Sequence, residues 1–187
     1  MNKIVFENPM FDLASSVRSL LKGTALEYIS LGLEDLAMKC LDISAAIPAK
    51  LTSELWKEFA ELTQSNNLKE RRNNLYIHGV NGNYFDEMVE KSPLPAELWQ
   101  RAEVHQKRLI EEGEIFNSTL KTPNELPACA ALIIKGRYDY IASLDQIQAY
   151  VHARPRTRVL LCDNSSHFPH FEEPKEFAKM IKDFILG

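Results

Sequence analysis

Short apolar runs near both ends of the chain predict three β-strands. They cover about Lys3–Phe6, Ala130–Lys135 and Thr157–Cys162, and the last two stop abruptly at polar loops. Continuous apolar runs of this length are typical of strands in a parallel sheet, where both faces are buried. Residues 143–153 have helical spacing between the last two runs. This part of the chain therefore predicts a strand–helix–strand unit with adjacent parallel strands.

From Met10 to about Leu120 the apolar positions follow helical spacing instead. A first helix contains Phe11 among its apolar positions and is predicted to end at Gly23. Thr52 is expected to cap a third helix. The second helix is predicted to place one apolar face at Leu26, Ile29, Leu33, Leu36, Ala37 and Cys40, and the third at Leu55, Trp56, Phe59 and Leu62.

Two more helices are predicted before the second strand, over residues 66–77 and 96–112. Glycine residues break the chain after each of them. Residues 173–185 form the closing amphipathic helix, with Pro174 near its first turn. Its apolar stripe is predicted to contain Phe177, Met180, Ile181, Phe184 and Ile185.

An acid and a histidine follow the last two predicted strands. Asp139 lies in the loop after the second strand and His167 in the loop after the third. The carboxyl ends of parallel strands meet at one edge of a sheet, where open α/β sheets hold their ligands. An acid and an imidazole in this order match the last two members of a Ser…Asp…His series.

The residues around this pair resemble a known family. Gly136-Arg-Tyr-Asp139 and Ser166-His-Phe-Pro-His-Phe-Glu-Glu-Pro174 are similar to the C-terminal end of α/β-hydrolases, most closely the proline-iminopeptidase-like branch. The resemblance is specific over roughly residues 124–187 and looser before them. It implies that Asp139 orients His167, that His167 activates a serine, and that Asn8-Pro9 faces the active site.

The resemblance also implies a fold class and a division of the chain. The fold is α/β: the C-terminal part of an α/β-hydrolase fold, with about three parallel strands and a mostly α-helical lid insertion. Residues 1–9 and 123–187 form the partial hydrolase core. Residues 10–122 form the lid, which this family inserts between its sixth and seventh strands.

The nucleophile of such an enzyme has no counterpart in the 187 residues, because the sequence contains no G-x-S-x-G motif. Leu75–Gly82 superficially resembles an oxyanion loop, but a helix stop at a glycine explains it better. We therefore expect a shortened form or gene remnant of a serine hydrolase, of peptidase or esterase type, that is inactive by itself. Small ester, amide or peptide substrates are expected only if an N-terminal half is present.

A second interpretation is a non-catalytic binding or interaction module derived from a hydrolase. In this interpretation the inner edge of the half-sheet, beside Ile4, pairs with a partner. Self-association through the exposed sheet edge is a further expectation, because unpaired strand edges recruit other strands.

The amino-acid composition bears on nucleic-acid binding, cellular compartment and metal binding. The hydrophobic fraction of 45%, the charged fraction of 26% and the net charge of −4 are ordinary for a globular protein and do not favour nucleic-acid binding. The cysteines Cys40, Cys129 and Cys162 are odd in number and lack metal-site spacing, which favours a reduced, cytoplasmic setting. Neither a signal peptide nor a membrane-spanning segment is predicted. His167 and His170 flank Pro169 without a third ligand, so we expect neither a metal nor a cofactor.

Overall fold

The computed structural model describes residues 3–47, 51–68, 75–76 and 129–187, together with positions 95, 97, 98, 100, 101, 104, 105 and 108. Described elements follow the order β1 (Lys3–Glu7), α1 (Leu13–Ser30), α2 (Glu34–Ala46), α3 (Ser53–Thr63), a 3-10 turn (Asn66–Leu68), β2 (Ala130–Gly136), α4 (Leu144–Ala153), β3 (Thr157–Cys162), α5 (Pro169–Glu172) and α6 (Pro174–Leu186). The chain thus combines helices and strands in a mixed α/β arrangement.

The three described strands form one parallel sheet in the order β1-β2-β3. Ile133 at the centre of β2 lies opposite Phe6 on one side and Val159 on the other. The three strands predicted from the apolar runs are confirmed, each to within one residue at either end. The predicted parallel pairing of the last two strands is confirmed as well.

Each face of the central strand is covered by a different helix. On one face, Ala131 and Ile133 pack with Ile147 and Tyr150 of α4. On the other face, the sheet packs against α6, in a cluster of Leu132, Ile134, Cys162 and Phe184. Side chains that alternate along β2 therefore enter two separate cores, as expected for a parallel strand buried on both faces.

The strand β3 is less covered than its apolar sequence predicts. Val159, Leu160 and Leu161 are 38%, 37% and 46% exposed, although they lie in the middle of the strand. One reason is its edge position, because β3 pairs only with β2 in the described sheet. Among the described residues no second strand pairs with this edge, and its apolar side chains are exposed.

The helices α1, α2 and α3 pack mainly on one another. Their shared core includes Leu21, Tyr28, Cys40 and Leu62, and the Tyr28 hydroxyl donates to the Leu62 carbonyl at 2.7 Å. As predicted, Thr52 is the N-cap of α3, where its side chain accepts the backbone N–H of the third residue along. Part-buried Tyr140, after β2, packs against this cluster and connects it to the sheet.

The predicted end of the first helix at Gly23 is wrong. Helix α1 continues through Gly23 to Ser30 and ends in a Schellman motif, where Gly32 has a φ of 71°. There the Leu33 N–H donates to the Tyr28 carbonyl and the Gly32 N–H to the Ile29 carbonyl. Gly23 instead meets the Tyr140 ring, and a Cβ atom would lie 2.7 Å from that ring. The glycine therefore allows close packing in mid-helix.

Other helical predictions need correction. Leu26 and Ile29 belong to α1 and are more than half exposed, so they are not on the buried face of a second helix. Phe11 precedes α1 and stacks on Tyr150 at 4.5 Å. In the predicted stripe of α6, Ile185 is 55% exposed because that side of the last turn faces away from the sheet.

Several predictions fall wholly or partly outside the described residues. Of the helix predicted over 66–77, the structure describes the 3-10 turn Asn66–Leu68 and positions 75 and 76. Of the helix predicted over 96–112, the seven described positions are helical. Residues 77–82 of the rejected oxyanion loop are not described. Within the described part of the chain, no helix combines the length and apolar character needed to span a membrane.

Gly23→Ala should destabilise the protein although alanine is the better helix former. Alanine in mid-helix gains up to about 1 kcal/mol over glycine, but overpacking against the Tyr140 ring typically costs about 1–3 kcal/mol. We expect a net loss of roughly 1 kcal/mol in urea unfolding. In a Tyr140→Ala background the same change should become stabilising, since the ring is gone. Stabilisation in both backgrounds would contradict the packing role of Gly23.

Candidate functional site

The loop after β2 positions a fully buried carboxylate. Asp139 Oδ1 accepts the Ile141 N–H at 2.9 Å, and Oδ2 accepts the Ala142 N–H at 3.0 Å. The side chain of Asp139 is 0% exposed. Each carboxylate oxygen therefore has a backbone donor from the same turn, which fixes the orientation of the Asp139 side chain.

The loop after β3 brings His167 to that carboxylate. His167 Nδ1 lies 3.2 Å from Asp139 Oδ1, and its side chain is 23% exposed. The His167 backbone N–H donates to the Tyr76 carbonyl at 2.8 Å. A neutral imidazole that donates its Nδ1 proton to the carboxylate keeps a lone pair on Nε2. The geometry therefore fixes the imidazole of His167 beside the carboxylate, and the two residues predicted as a pair do meet.

Two consecutive glutamates hold the histidine loop in place. Glu172 accepts the backbone N–H groups of Ser166 and Phe168, at 3.0 and 3.1 Å, on either side of His167. Glu173 accepts the Asn164 N–H at 2.9 Å and the Ser165 hydroxyl at 2.6 Å. In the sequence these glutamates belong to the Ser166–Pro174 motif, which assigned them no role. Their structural role is to satisfy loop donors that would otherwise be left without partners.

Asn8 connects the ends of all three strands. Its side-chain oxygen accepts the Gly136 N–H at 2.9 Å, and its Nδ2 donates to the Ser166 carbonyl at 2.8 Å. Asn8 is 3% exposed and has a φ of 39°, a left-handed conformation that asparagine tolerates better than most residues. The residue after β1 thus fixes the loops that carry Asp139 and His167.

Gly136 allows the two loops to approach each other. A Cβ atom at this position would lie 1.8 Å from the Ser166 carbonyl oxygen and 2.7 Å from that of Ser165. No side chain fits there without moving backbone. The glycine in Gly136-Arg-Tyr-Asp139 is therefore required by loop contact, whereas its φ is not in the left-handed region.

Lys135 is a buried cation at a position where the sequence predicted only the end of a strand. It is 5% exposed, and its Nζ donates to the carbonyls of Gly136 at 3.0 Å and Asp139 at 2.8 Å. Burial lowers the pKa of Lys135, and the negative charge of Asp139 partly opposes that shift. Lys135 ends an apolar run, and such a run does not indicate a buried charge next to Asp139.

His170 does not join His167. Its Nδ1 lies 2.6 Å from Glu7 Oε1 on β1, and the same oxygen accepts the His170 backbone N–H at 3.0 Å. Pro169 occupies the first position of α5 and separates the two histidines. Within the described ranges, no three metal-ligating side chains form a cluster.

The buried thiols have properties unlike those of a nucleophile. Burial raises the pKa of both Cys40 and Cys162 to about 11, so both are neutral at pH 7. Cys162 is the last residue of β3, and its thiol is on the α6 face of the sheet, near Met180. These two cysteines therefore act as small apolar core residues.

Comparisons with known proteins place this geometry in no family. No protein-family model matches the chain, and no curated protein matches it. Among solved structures, the crystal structure of VinJ is similar with a TM-score of 0.42 and 13% sequence identity. The similarity covers 97% of this chain and 56% of VinJ, so the chain spans about half the length of that protein. A likeness at this level assigns neither a family nor a function.

Gly136→Ala should disrupt the site and destabilise the fold. The added methyl group requires the Ser166 backbone to move. Overpacking of this kind typically reduces the free energy of unfolding by about 1–3 kcal/mol or more. Gly187→Ala is the matched control, because its Cβ would lie 3.1 Å from the nearest atom at the chain end. Urea unfolding and the amide NMR signals of Ile141 and Ala142 measure the two effects. Unchanged stability and unchanged signals in Gly136→Ala would contradict the close approach of the loops.

Proposed function

We propose that this chain is the C-terminal part of a serine hydrolase with an α/β-hydrolase fold, of proline-iminopeptidase-like or esterase-like type. The observation that carries the proposal is the 3.2 Å contact between His167 Nδ1 and a fully buried Asp139 carboxylate. In this proposal His167 is the general base and Asp139 its orienting acid. Both come from loops at the carboxyl edge of a parallel sheet, where α/β folds commonly place their sites.

The chemistry requires a serine supplied by residues outside this chain. His167 Nε2 would take the proton from that serine hydroxyl as its oxygen attacks the carbonyl carbon of an ester or amide. The same nitrogen would then return the proton to the leaving alcohol or amine. Water would release the acyl group by the same route, with His167 again as the base.

Asp139 would act through His167 rather than on the substrate. Its carboxylate keeps the imidazole proton on Nδ1, which leaves Nε2 as the base, and stabilises the imidazolium that forms. Because Asp139 has no solvent exposure, water screens this interaction little. The Ile141 and Ala142 N–H groups hold the carboxylate in one orientation.

The proposed lid is residues 10–122, inserted into a core of residues 1–9 and 123–187. Two contacts support a position near the site. Tyr140 and Ile141, directly after Asp139, pack against the α1–α3 cluster, and the Tyr76 carbonyl accepts the His167 N–H. Helices placed there would exclude water and limit substrate size.

This chain by itself should not hydrolyse aryl esters or amino-acid anilides. A histidine without a nucleophile and oxyanion donors contributes only weak general-base assistance. Release of nitrophenol or nitroaniline measures the activity, and a fluorophosphonate probe measures any reactive serine. Stoichiometric labelling by the probe would show a nucleophile within the chain and contradict the proposal.

In a longer form that carries the G-x-S-x-G motif, His167→Ala should remove most of the activity without unfolding the protein. Asp139→Asn should cost somewhat less, but still several orders of magnitude in kcat, because the imidazole loses its orientation and charge stabilisation. His170→Ala is the matched control, since that ring contacts Glu7 instead. Parent-like turnover in either variant would refute the role assigned to that residue.

The second candidate is an interaction module that pairs through the sheet. Its support is the β3 edge, where Val159, Leu160 and Leu161 are each more than a third exposed. The sequence predicted such pairing at the opposite edge, beside Ile4. There too, β1 has no second strand partner among the described residues. Exposed apolar strand edges favour pairing with a second chain.

The chain is therefore expected to self-associate and to have marginal stability. Leu161→Lys should reduce association by placing a charge on the β3 edge, whereas Leu186→Lys, at the end of α6, should not. Light scattering and thermal unfolding measure both properties. A parent protein that is a clean monomer and melts cooperatively above about 60 °C, the upper part of the usual mesophile range, would exclude this module.

A further inference from the structure

A positively charged cavity lies beside the Asp139 loop. It measures about 370 Å³ and lies between α1, the carboxyl end of β2 and the first residues of α4. His167 is not among its lining residues, so the cavity is separate from the exposed side of the histidine. Its polar lining includes the cations Arg18, Lys22, Lys135 and Arg137 and the hydroxyl residues Ser15 and Ser19.

The charges around this cavity do not cancel. Four cations face two carboxylates, Asp139 and Asp145, which leaves a formal charge of +2 (4 − 2). The Asp139 carboxylate is already directed toward Ile141, Ala142 and His167. Arg137 forms an exposed ion pair with Asp163, and Arg18 donates to the Ser15 hydroxyl. Without Arg137 the lining remains positive, although the whole chain carries a net charge of −4.

Lys135 differs from the exposed Lys22 of this cavity because its side chain is buried. Its ammonium group has three N–H donors, and the Gly136 and Asp139 carbonyls accept two of them. These acceptors are neutral, so no carboxylate forms a direct hydrogen bond with the buried charge. An anion in the cavity would give Lys135 a direct charge partner in addition to the nearby Asp139 carboxylate, since a buried cation is costly unless it is paired.

The start of α4 adds donors on another side of the cavity. Ser143, Leu144 and Asp145 line it, and Ser143 is an N-cap whose side chain does not cap the helix. The first N–H groups of a helix have no partner within the helix and carry its positive dipole end. Anions bind at such ends when side-chain cations are also present.

We propose that this cavity binds a small molecule through an oxyanion group, either a phosphate or a carboxylate. Lys135 and Lys22 contact the oxyanion, and the first turn of α4 contributes backbone donors. The site would exist whether or not the chain takes part in hydrolysis. It therefore stands apart from the proposed function and is tested by binding alone.

The test is a titration of the full chain with sodium phosphate and, separately, with sodium acetate at pH 7. Sodium chloride keeps the ionic strength constant, so general screening does not contribute. We expect at least one anion to produce saturable NMR shifts in the Lys22 and Leu144 amides, together with a higher Tm. The anion that saturates identifies the group, phosphate or carboxylate.

Variants decide whether the cavity is the site. Lys22→Gln removes an exposed cation and should weaken binding about tenfold, equivalent to about 1.4 kcal/mol. Lys135→Met should abolish binding, and Lys22→Gln keeps the test informative if that variant does not fold. Lys39→Gln, on the exposed side of α2, should bind like the parent. No saturable shift with either anion, or parent-like affinity in Lys22→Gln, would overturn the proposal.

Discussion

The side chain of Asn8 holds together the ends of the three strands, and the local architecture depends on it. Asn8 directly follows β1, and its side chain accepts from Gly136 at the end of β2 and donates to Ser166 after β3. These two loops can meet only because position 136 has no Cβ atom. Burying the amide without partners would cost about 1–3 kcal/mol. Its two partners therefore specify where each loop leaves the sheet.

Once the loops meet, backbone groups rather than opposing side chains stabilise most of the buried charge. Asp139 accepts two N–H groups of its own turn, and Lys135 donates to the Asp139 carbonyl. Glu172 takes two N–H groups that flank His167. Charge-assisted hydrogen bonds of this kind are stronger than neutral ones and impose one geometry. Burial lowers the pKa of Lys135, and a positively charged cavity lies beside it.

Polar and aromatic contacts help to connect the sheet to the helical cluster. Gln146 of α4 is buried and accepts the N–H groups of Phe11 and Asp12 just before α1, while its amide donates to Ser16. Tyr140 fills the space left by Gly23. These contacts bring the helices close to Asp139, and none of them follows from hydrophobic periodicity.

The sequence by itself determined the three parallel strands and the approach of Asp139 to His167. Apolar runs report burial directly, and parallel strands bring their carboxyl-end loops to one edge. Tertiary structure decided whatever depends on contact between distant residues. The sequence predicted a helix end at Gly23, whereas the structure shows that this glycine makes room for the Tyr140 ring. The sequence predicted only a strand end at Lys135, whereas the structure shows its hydrogen bonds to two carbonyls. The exposure of the β3 side chains could not be predicted either, because an apolar run does not show which strand lies at the edge of the sheet.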